Sequence, residues 1–342
     1  MTEMTMMRRE ILEIPQAAAR FLDGQKAAIA EAGKALSVRD PSVVVTVARG
    51  SSDHAAYFLK YAIELIAGVP VASLGPSLAS IYEAPLKLEK AAAISISQSG
   101  KSPDIVAMGE AARKGGALTL SLVNTINSPL AEAADRPIDI AAGPEKAVAA
   151  TKSYVNSIVA GLAVLAEWKG DQALKAALAA LPEQFEKALA CDWGMLLAPL
   201  KDAQSIYVLG RGPSFAIASE AALKCKETCE LHAEAYSSAE VMHGPVSLVA
   251  PRFPIIAFSA RDKAEASVAA IANGLAQKGA NVFLASDLSD GPTKLPFVAT
   301  GHPVTDALAL ILPYYSFIER LSLARGFNPD APVALNKVTE TK

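Results

Sequence analysis

The sequence predicts an α/β fold written twice: two tandem units, each a parallel sheet flanked by helices in a flavodoxin-like three-layer arrangement. Three observations predict it. Short, largely apolar runs rich in β-branched residues, such as Val43-Val44-Val45-Thr46-Val47, have the character of strands buried on both faces. They alternate with segments whose apolar residues fall at helical spacing. Landmarks of the first half then recur in the second at offsets between 158 and 167 residues.

From the start of the chain, Arg8 to Leu36 reads as helical, interrupted near Pro15. The Val43 run follows and ends in Arg49-Gly50-Ser51-Ser52. A helix with Ala55, Phe58, Leu59, Ala62 and Ile66 on one face comes next, then a short strand at Val71–Leu74. Ala91–Ile96 is a further strand, and Ile105, Val106, Met108, Ala111 and Ala112 mark a helix that closes at Gly115-Gly116. Ala117–Val123 and Ile138–Ala141 read as strands, and Ala147 to Lys169 as one long helix. In the second half, Ile206 to Ser214 repeats the Val43 strand and its turn, with Arg49 and Arg211 lying 162 residues apart. Ile255–Phe258 ends at Ser259, the counterpart of Ser97. Lys278-Gly279 answers Lys114-Gly115, Val282–Ala285 answers Leu118–Val123, and Pro296–Ala299 answers Pro137–Ile140.

Between the Ala91 strand and its helix lies Ser97-Gln98-Ser99-Gly100-Lys101-Ser102-Pro103-Asp104. Ser102 suits an N-cap, Pro103 the first helical position and Asp104 the first turn. Hydroxyls, an amide and a glycine then face free N–H groups and the positive end of a helix dipole, a setting that favours a phosphate. An ordinary βα turn has the same composition, and the full Walker pattern GxxxxGK[ST] is absent: Gly100-Lys101-Ser102 matches its end, but Ser95 stands where its first glycine would be. In a parallel sheet this turn and Ser51-Ser52 both lie at carboxyl ends of strands, where ligands bind. The second copy has Ala260-Arg261-Asp262 after Ser259, so it must contribute something else.

What it carries is a dense polar run: Glu220, Lys224, Lys226, Glu227, Glu230, His232 and Glu234. On a helix Lys224 and Glu227 are one turn apart on one face, with Glu220 a turn earlier. A solvated, salt-bridged face is the ordinary account of such a run. His243, however, precedes Gly244-Pro245 at a turn. A carboxylate for carbon-acid chemistry and a histidine for oxygen proton transfer form the pair that aldose–ketose interconversion needs.

Several motifs resemble the sugar-isomerase (SIS) half of glucosamine-6-phosphate synthase. They are Ser97-Gln98-Ser99-Gly100, Glu145 with Val148-Ala149-Ala150-Thr151-Lys152, Leu209-Gly210-Arg211-Gly212, Ala222 to Glu227, His232 to Tyr236, Glu240, His243-Gly244-Pro245 and Asn336-Lys337. Gly50 to Ala55, Glu145 to Tyr154 and Ser237 to Glu240 are similar to stand-alone double-SIS proteins that deaminate glucosamine 6-phosphate. No leading cysteine nucleophile of a glutaminase domain is present, so glutamine-dependent amination is not expected. The resemblance implies conversion of glucosamine 6-phosphate and water to fructose 6-phosphate and ammonia, with no metal or other cofactor. It implies that Ser52, Ser97, Gln98, Ser99 and Ser102 hold the phosphate and nearby hydroxyls, while Val148 and Ala150 line the sugar. Ala150 stands where the synthase has a serine, and Lys101 where it has an acidic residue. Glu227 is implied as the base at C2 and C1, assisted by Lys224, and His243 as the ring-opening residue, donated by the neighbouring subunit of a homodimer. Lys337, on the tail, is implied to fold over the site. The expected domains are residues 1–170, residues 171–330 and a closing tail, 331–342.

Two other functions remain open on the same residues. One keeps the fold and changes the substrate, as another phosphosugar isomerase or a fructosamine-6-phosphate deglycase. The other is a non-catalytic sugar-phosphate sensor.

The bulk numbers agree with a small-molecule enzyme. A length of 342 residues suits about two domains, and 51% hydrophobic with 20% charged residues can bury a sizeable core. A net charge of −3 opposes a nucleic-acid surface. Three cysteines make no secreted framework; Cys225 and Cys229 read as buried small residues, and no histidine has zinc-finger spacing. Residues Met1 to Glu10 lack an apolar stretch of signal length and no segment reads as a clean membrane span, so a cytoplasmic protein with no membrane partner is expected.

Overall fold

The structure, a computed structural model, describes residues Met4 to Pro332 and Lys337. The remaining residues of the expected tail lie outside the described set.

Among the described residues, ten strands form two sheets. The first contains β1 (Val43–Val47), β2 (Val71–Ser73), β3 (Ala91–Ser97), β4 (Leu118–Val123) and β5 (Arg136–Asp139), in the order β2-β1-β3-β4-β5. The second contains β6 (Ser205–Gly210), β7 (His232–Ser237), β8 (Pro254–Phe258), β9 (Asn281–Ala285) and β10 (Thr293–Lys294), in the order β10-β9-β8-β6-β7. Every pairing is parallel, and the two orders are the same winding. All seven residues of β3 are buried, as a strand covered by helices on both faces requires. The repeat in the sequence is therefore a repeat of topology.

Contacts divide the chain into two compact units that do not follow the chain in halves. The first-copy unit takes Gln16–Glu145 and Lys152–Ala179, with Lys337. The second-copy unit takes the chain up to Pro15, Lys146–Thr151 and the chain from Ala180 onward. The reason is a set of polar ties. Arg8 pairs with Glu319 at 2.6 Å, Thr5 donates to Glu319 at 2.8 Å, and the N–H groups of Met6 and Met7 donate to Asp330 at 2.8 and 2.7 Å. Helix Met6–Leu12 is thereby fixed beside helix Ile311–Ala324.

In the first-copy unit, helices Lys26–Arg39 and Ser51–Ile66 pack on helix Lys152–Lys169, whose residues are nearly all buried. Glycines allow the close approach. A Cβ on Gly33 would stand 2.5 Å from the Glu167 Cβ and 2.9 Å from the Trp168 backbone nitrogen, and one on Gly161 would stand 2.3 Å from Leu59. On the other face, helices Pro103–Lys114 and Pro129–Ala133 close a core of Val47, Ile105, Met108, Val123 and Leu130. The second-copy unit buries Tyr207, Leu209, Ile255, Ala257, Val268 and Leu284. The stretch Pro303–Ala324 passes as a bilayer span by length and hydropathy, unlike the expectation that no segment would, but 78% of its 18-residue apolar window is buried inside the protein.

Three local expectations are corrected, and one polar run is divided. The long helix begins at Lys152, not Ala147, because the preceding N–H groups bond elsewhere: those of Lys146 and Ala147 to Glu10, and that of Val148 to the Asp330 carbonyl. Pro296–Ala299 is not a strand; the fifth strand is Thr293–Lys294, and the Pro296 carbonyl accepts from the Trp193 indole at 2.8 Å. The strand expected at Ile138–Ala141 ends at Asp139, since Ala141 takes a positive φ of 51°. Finally, the polar run Ser219–Glu234 breaks at Glu230, which is left-handed, and His232–Ser237 is an edge strand.

Two glycines test the packing account. Gly33→Val is expected to lower the melting temperature through overpacking worth about 1–3 kcal/mol. Gly24→Ala, where nothing lies within 4 Å of the added carbon, is expected to raise stability by about 0.4–1 kcal/mol. Thermal unfolding of both variants checks the contrast.

Candidate functional site

Strand β1 ends at Val47, and the chain reverses into helix Ser51–Ile66 through Gly50 at φ 55° and ψ −133°. That backbone region is closed to residues with a Cβ, and nothing lies within 4 Å of where one would point. Arg49 reaches from this turn to Asp104, whose carboxylate accepts from its guanidinium at 3.2 and 3.3 Å. The turn after β1 is thus tied to the start of helix Pro103–Lys114, which follows the neighbouring strand β3.

The turn after β3 is pinned by its own backbone. The Gly100 N–H donates to the Ser97 hydroxyl at 3.0 Å, and the Lys101 N–H to that of Ser99 at 3.3 Å. The N–H groups of Asn124 and Leu130 donate to the carbonyls of Gln98 and Gly100. Gly100 has φ 64°, and a Cβ there would sit 2.2 Å from the Ser128 hydroxyl oxygen. Ser102 occupies the N-cap position, but its hydroxyl makes no capping bond, which corrects one sequence expectation. Ser52 lies in the first turn of its helix, partly exposed, as are Gln98 and Ser99. Beside Ser52, burial pushes the Asp53 carboxyl up, against the opposing pull of His54 and Arg49. A carboxyl that protonates more readily repels a neighbouring dianion less. Ser52, Ser97, Gln98, Ser99 and Ser102 therefore gather at two adjacent carboxyl ends, where the winding reverses.

Lys337 belongs to the same unit. Its ammonium donates to Glu145 at 3.3 Å; that carboxylate, fully buried, also accepts from the Ser153 N–H at 3.0 Å and hydroxyl at 2.6 Å. Glu145 was legible only as part of a resembling motif. Its partnership with Lys337 spans 192 residues and left no local signal.

In the second-copy unit, helix Pro213–Cys229 carries the polar cluster on its buried side. Lys224 is fully buried between Glu220, at 3.3 Å and also fully buried, and Glu227, whose side chain keeps 21% of its surface. Tyr315, on helix Ile311–Ala324, donates its hydroxyl to Glu220 at 3.1 Å. Burial alone would lower the Lys224 ammonium, but the charges of Glu220 and Glu227 outweigh it and hold the group above the ordinary lysine range. The solvated-face alternative fails here: the face is buried and its charges compensate one another. Tyr315 sits in an apolar helix, where spacing alone marks it as core.

His243 ends the one-turn helix Glu240–His243 after β7, exposed, and Gly244 follows at φ 141°. Val241 anchors this turn in the core and the Tyr207 hydroxyl donates to the Pro245 carbonyl at 3.1 Å. Val148 and Ala150, both partly exposed, lie in Lys146–Thr151 and so share this unit with Glu227 and His243. His232 is exposed, with Nδ1 at 3.0 Å from the Ser205 hydroxyl, and His302 caps helix Pro303–Ala309. Cys225 and Cys229 are buried, and burial pushes their thiols up to about 11 and about 12.

Known proteins resemble the chain along nearly its whole length. The SIS-domain profile matches residues 38–166 and 199–294. Glutamine–fructose-6-phosphate aminotransferase of Symbiobacterium thermophilum is 34% identical over 97% of this chain and 58% of its own length. Its Thermococcus kodakarensis counterpart is 31% identical over 97% and 57%. The chain thus spans a little over half the length of these relatives. A crystal structure from Silicibacter pomeroyi DSS-3, provisionally assigned as a phosphosugar isomerase, superposes with a TM-score of 0.93 at 52% identity over 96% of this chain and 100% of that one. The C-terminal domain of glucosamine-fructose-6-phosphate aminotransferase from Francisella tularensis gives 0.85 at 25% identity, over 96% and 98%. With two matched segments, each holding one of the parallel sheets, the chain belongs to the SIS-domain family.

Proposed function

We propose that the chain is an aminosugar-phosphate deaminase of the isomerase type, converting glucosamine 6-phosphate and water to fructose 6-phosphate and ammonia. One observation carries the reading: a fully buried ammonium, Lys224, is shared by two carboxylates, and one of them, Glu227, reaches the surface. A carboxylate fixed in this way is a positioned base, and Glu220 takes up part of the charge that would otherwise weaken it.

The scheme follows from the substrate. The proton at C2 is acidic only when C1 is a carbonyl, so the ring opens first, with His243 moving the proton between the ring oxygen and O1. Glu227 removes the C2 proton and returns it to C1, while a proton passes from the amino nitrogen to O1, leaving a hydroxyl at C1 and an imine at C2. Water adds to that imine, and the C–N bond breaks to give the ketone and ammonia. The serines at the ends of β1 and β3 hold the phosphate, and Val148 and Ala150 line the sugar. Lys337, held by Glu145, closes the site and excludes water from the intermediate. The exposure of His243 supports its donation to the neighbouring protomer of a homodimer.

Glu227→Gln keeps the shape and removes the base. It is expected to lower kcat by roughly 10²–10⁴-fold while substrate binding persists, with ammonia and ketose phosphate as the two readouts. A panel of glucosamine, galactosamine and fructosamine 6-phosphates fixes the substrate; tight binding without ammonia release from any of them sinks the proposal. Lys224, held above its ordinary value, stabilises the fold below its unfolded pKa of ~10.4 and loses that contribution only as pH rises through the folded value. No alkaline limb from Lys224 is therefore expected in the pH–rate profile up to that point. Lys224→Met strands the Glu220 carboxylate and is expected to cost about 3–5 kcal/mol in denaturant unfolding.

A further inference from the structure

The second-copy unit repeats the geometry of the phosphate-type turns more closely than its sequence indicates. Helices Ser51–Ile66 and Pro213–Cys229 start at 51 and 213, and helices Pro103–Lys114 and Glu265–Gln277 at 103 and 265, each pair 162 residues apart. The helix starts of the two copies thus share one register, while the turns before them differ by a single residue, three against two after the first strand and five against six after the third. Gly212, at φ 59° and ψ −137°, reproduces Gly50, and nothing lies within 4 Å of its missing Cβ either. With that register Ser214 stands where Ser52 stands, Ser259 where Ser97 stands, and Arg261 where Ser99 stands.

These three counterparts hold unsatisfied polar atoms. The hydroxyls of Ser214 and Ser259, in residues only 1% exposed, have no hydrogen-bond partner among the described residues. Nor have the two terminal guanidinium nitrogens of Arg261, which are also shielded. The rest of that side chain is firmly held. Its Nε donates to Asp306 at 2.8 Å, and its plane lies 3.9 Å over the Phe297 ring. Asp306 is itself engaged by the Arg261 and Thr300 N–H groups and the Thr300 hydroxyl. A fixed fork with two idle donors and an idle hydroxyl on the turn after β8, and a second idle hydroxyl at the helix that follows the neighbouring strand β6, leave buried hydrogen-bonding capacity that a native fold rarely wastes.

We propose that this turn of the second-copy unit is a second binding site for a phosphate monoester or free phosphate, received by the Arg261 fork and the Ser214 and Ser259 hydroxyls at the start of helix Pro213–Cys229. The inference rests on the reading that Ser52, Ser97 and Ser99 hold phosphate in the first copy. Two carboxylates border the turn. Asp262 accepts from the Ala264 N–H at 2.7 Å, and burial raises its carboxyl, which eases neutralisation beside an anion. Glu265 accepts from the Ser286 hydroxyl at 2.7 Å. Because the idle donors are shielded, the turn at 259–264 opens when the ligand enters.

The test is equilibrium binding of inorganic phosphate, and separately of glucose 6-phosphate, to the full chain. The wild type is compared with Ser97→Ala and with the double variant Ser214→Ala, Ser259→Ala. Two equivalents per chain are expected for the wild type. The double variant loses no described hydrogen bond, and it should weaken one of them by about tenfold while sparing the other; Ser97→Ala should do the reverse. The tighter of the two probes identifies the source of the phosphate. A single equivalent, lost in Ser97→Ala and unchanged in the double variant, overturns the second site and leaves the first-copy reading standing. Binding lost in the double variant and unchanged in Ser97→Ala overturns the first-copy reading alone. Two equivalents indifferent to the double change also overturn the proposal. Should the double variant fail to fold, Arg261→Lys, which keeps the charge beside Asp306 and removes the fork, gives the same decision.

Discussion

The reversal at Gly50 and at Gly212 is the constraint on which the architecture turns. A parallel strand must hand its chain to a helix lying across one face of the sheet, and here it does so in three residues at Gly50 and in two at Gly212. Only a residue without a side-chain carbon takes φ near 55° with ψ near −135° at little cost. The next strand over sends its helix to the opposite face, so the two carboxyl ends diverge and leave donors exposed between them. Ser52, Ser97, Gln98, Ser99 and Ser102 stand at this divergence.

The two copies have put the same scaffold to different uses. The first keeps hydroxyls on its turns and lets backbone N–H groups organise them, as at Ser97 and Ser99. The second has sunk its chemistry into the body of helix Pro213–Cys229, where Glu220, Lys224 and Glu227 neutralise one another. A buried charge cluster costs desolvation free energy, and the outlay is tolerable only when each member is paired. Tyr315 adds a hydrogen bond to Glu220 from across the helix pair.

Much of this was legible in the chain alone. Val43–Val47 and Ile255–Phe258 announced buried parallel strands because nothing but covering helices on both sides suits such runs. The spacing of Glu220, Lys224 and Glu227 announced a shared helical face. What escaped reading was set by distant partners. Ala147–Thr151 has helical apolar spacing, yet Glu10 and Asp330 take the N–H groups that a helix would have used. His232–Ser237 alternates cleanly but is short of apolar residues, as an edge strand can be. Lys337 found Glu145 across most of the chain, and no local pattern encodes such a meeting.

The anchoring of helix Met6–Leu12 has a consequence for biosynthesis. Its partner Glu319 is separated from Arg8 by 311 residues, so this helix leaves the ribosome long before the helix on which it docks is made. At ~5–20 residues per second that delay is on the order of tens of seconds. During it, the apolar side of the nascent helix stays uncovered while the first parallel sheet, complete by Asp139, can already close. Vectorial synthesis therefore favours assembly of the Ser97 sheet before the Glu227 sheet, the reverse of what the position of the first helix in the finished protein suggests.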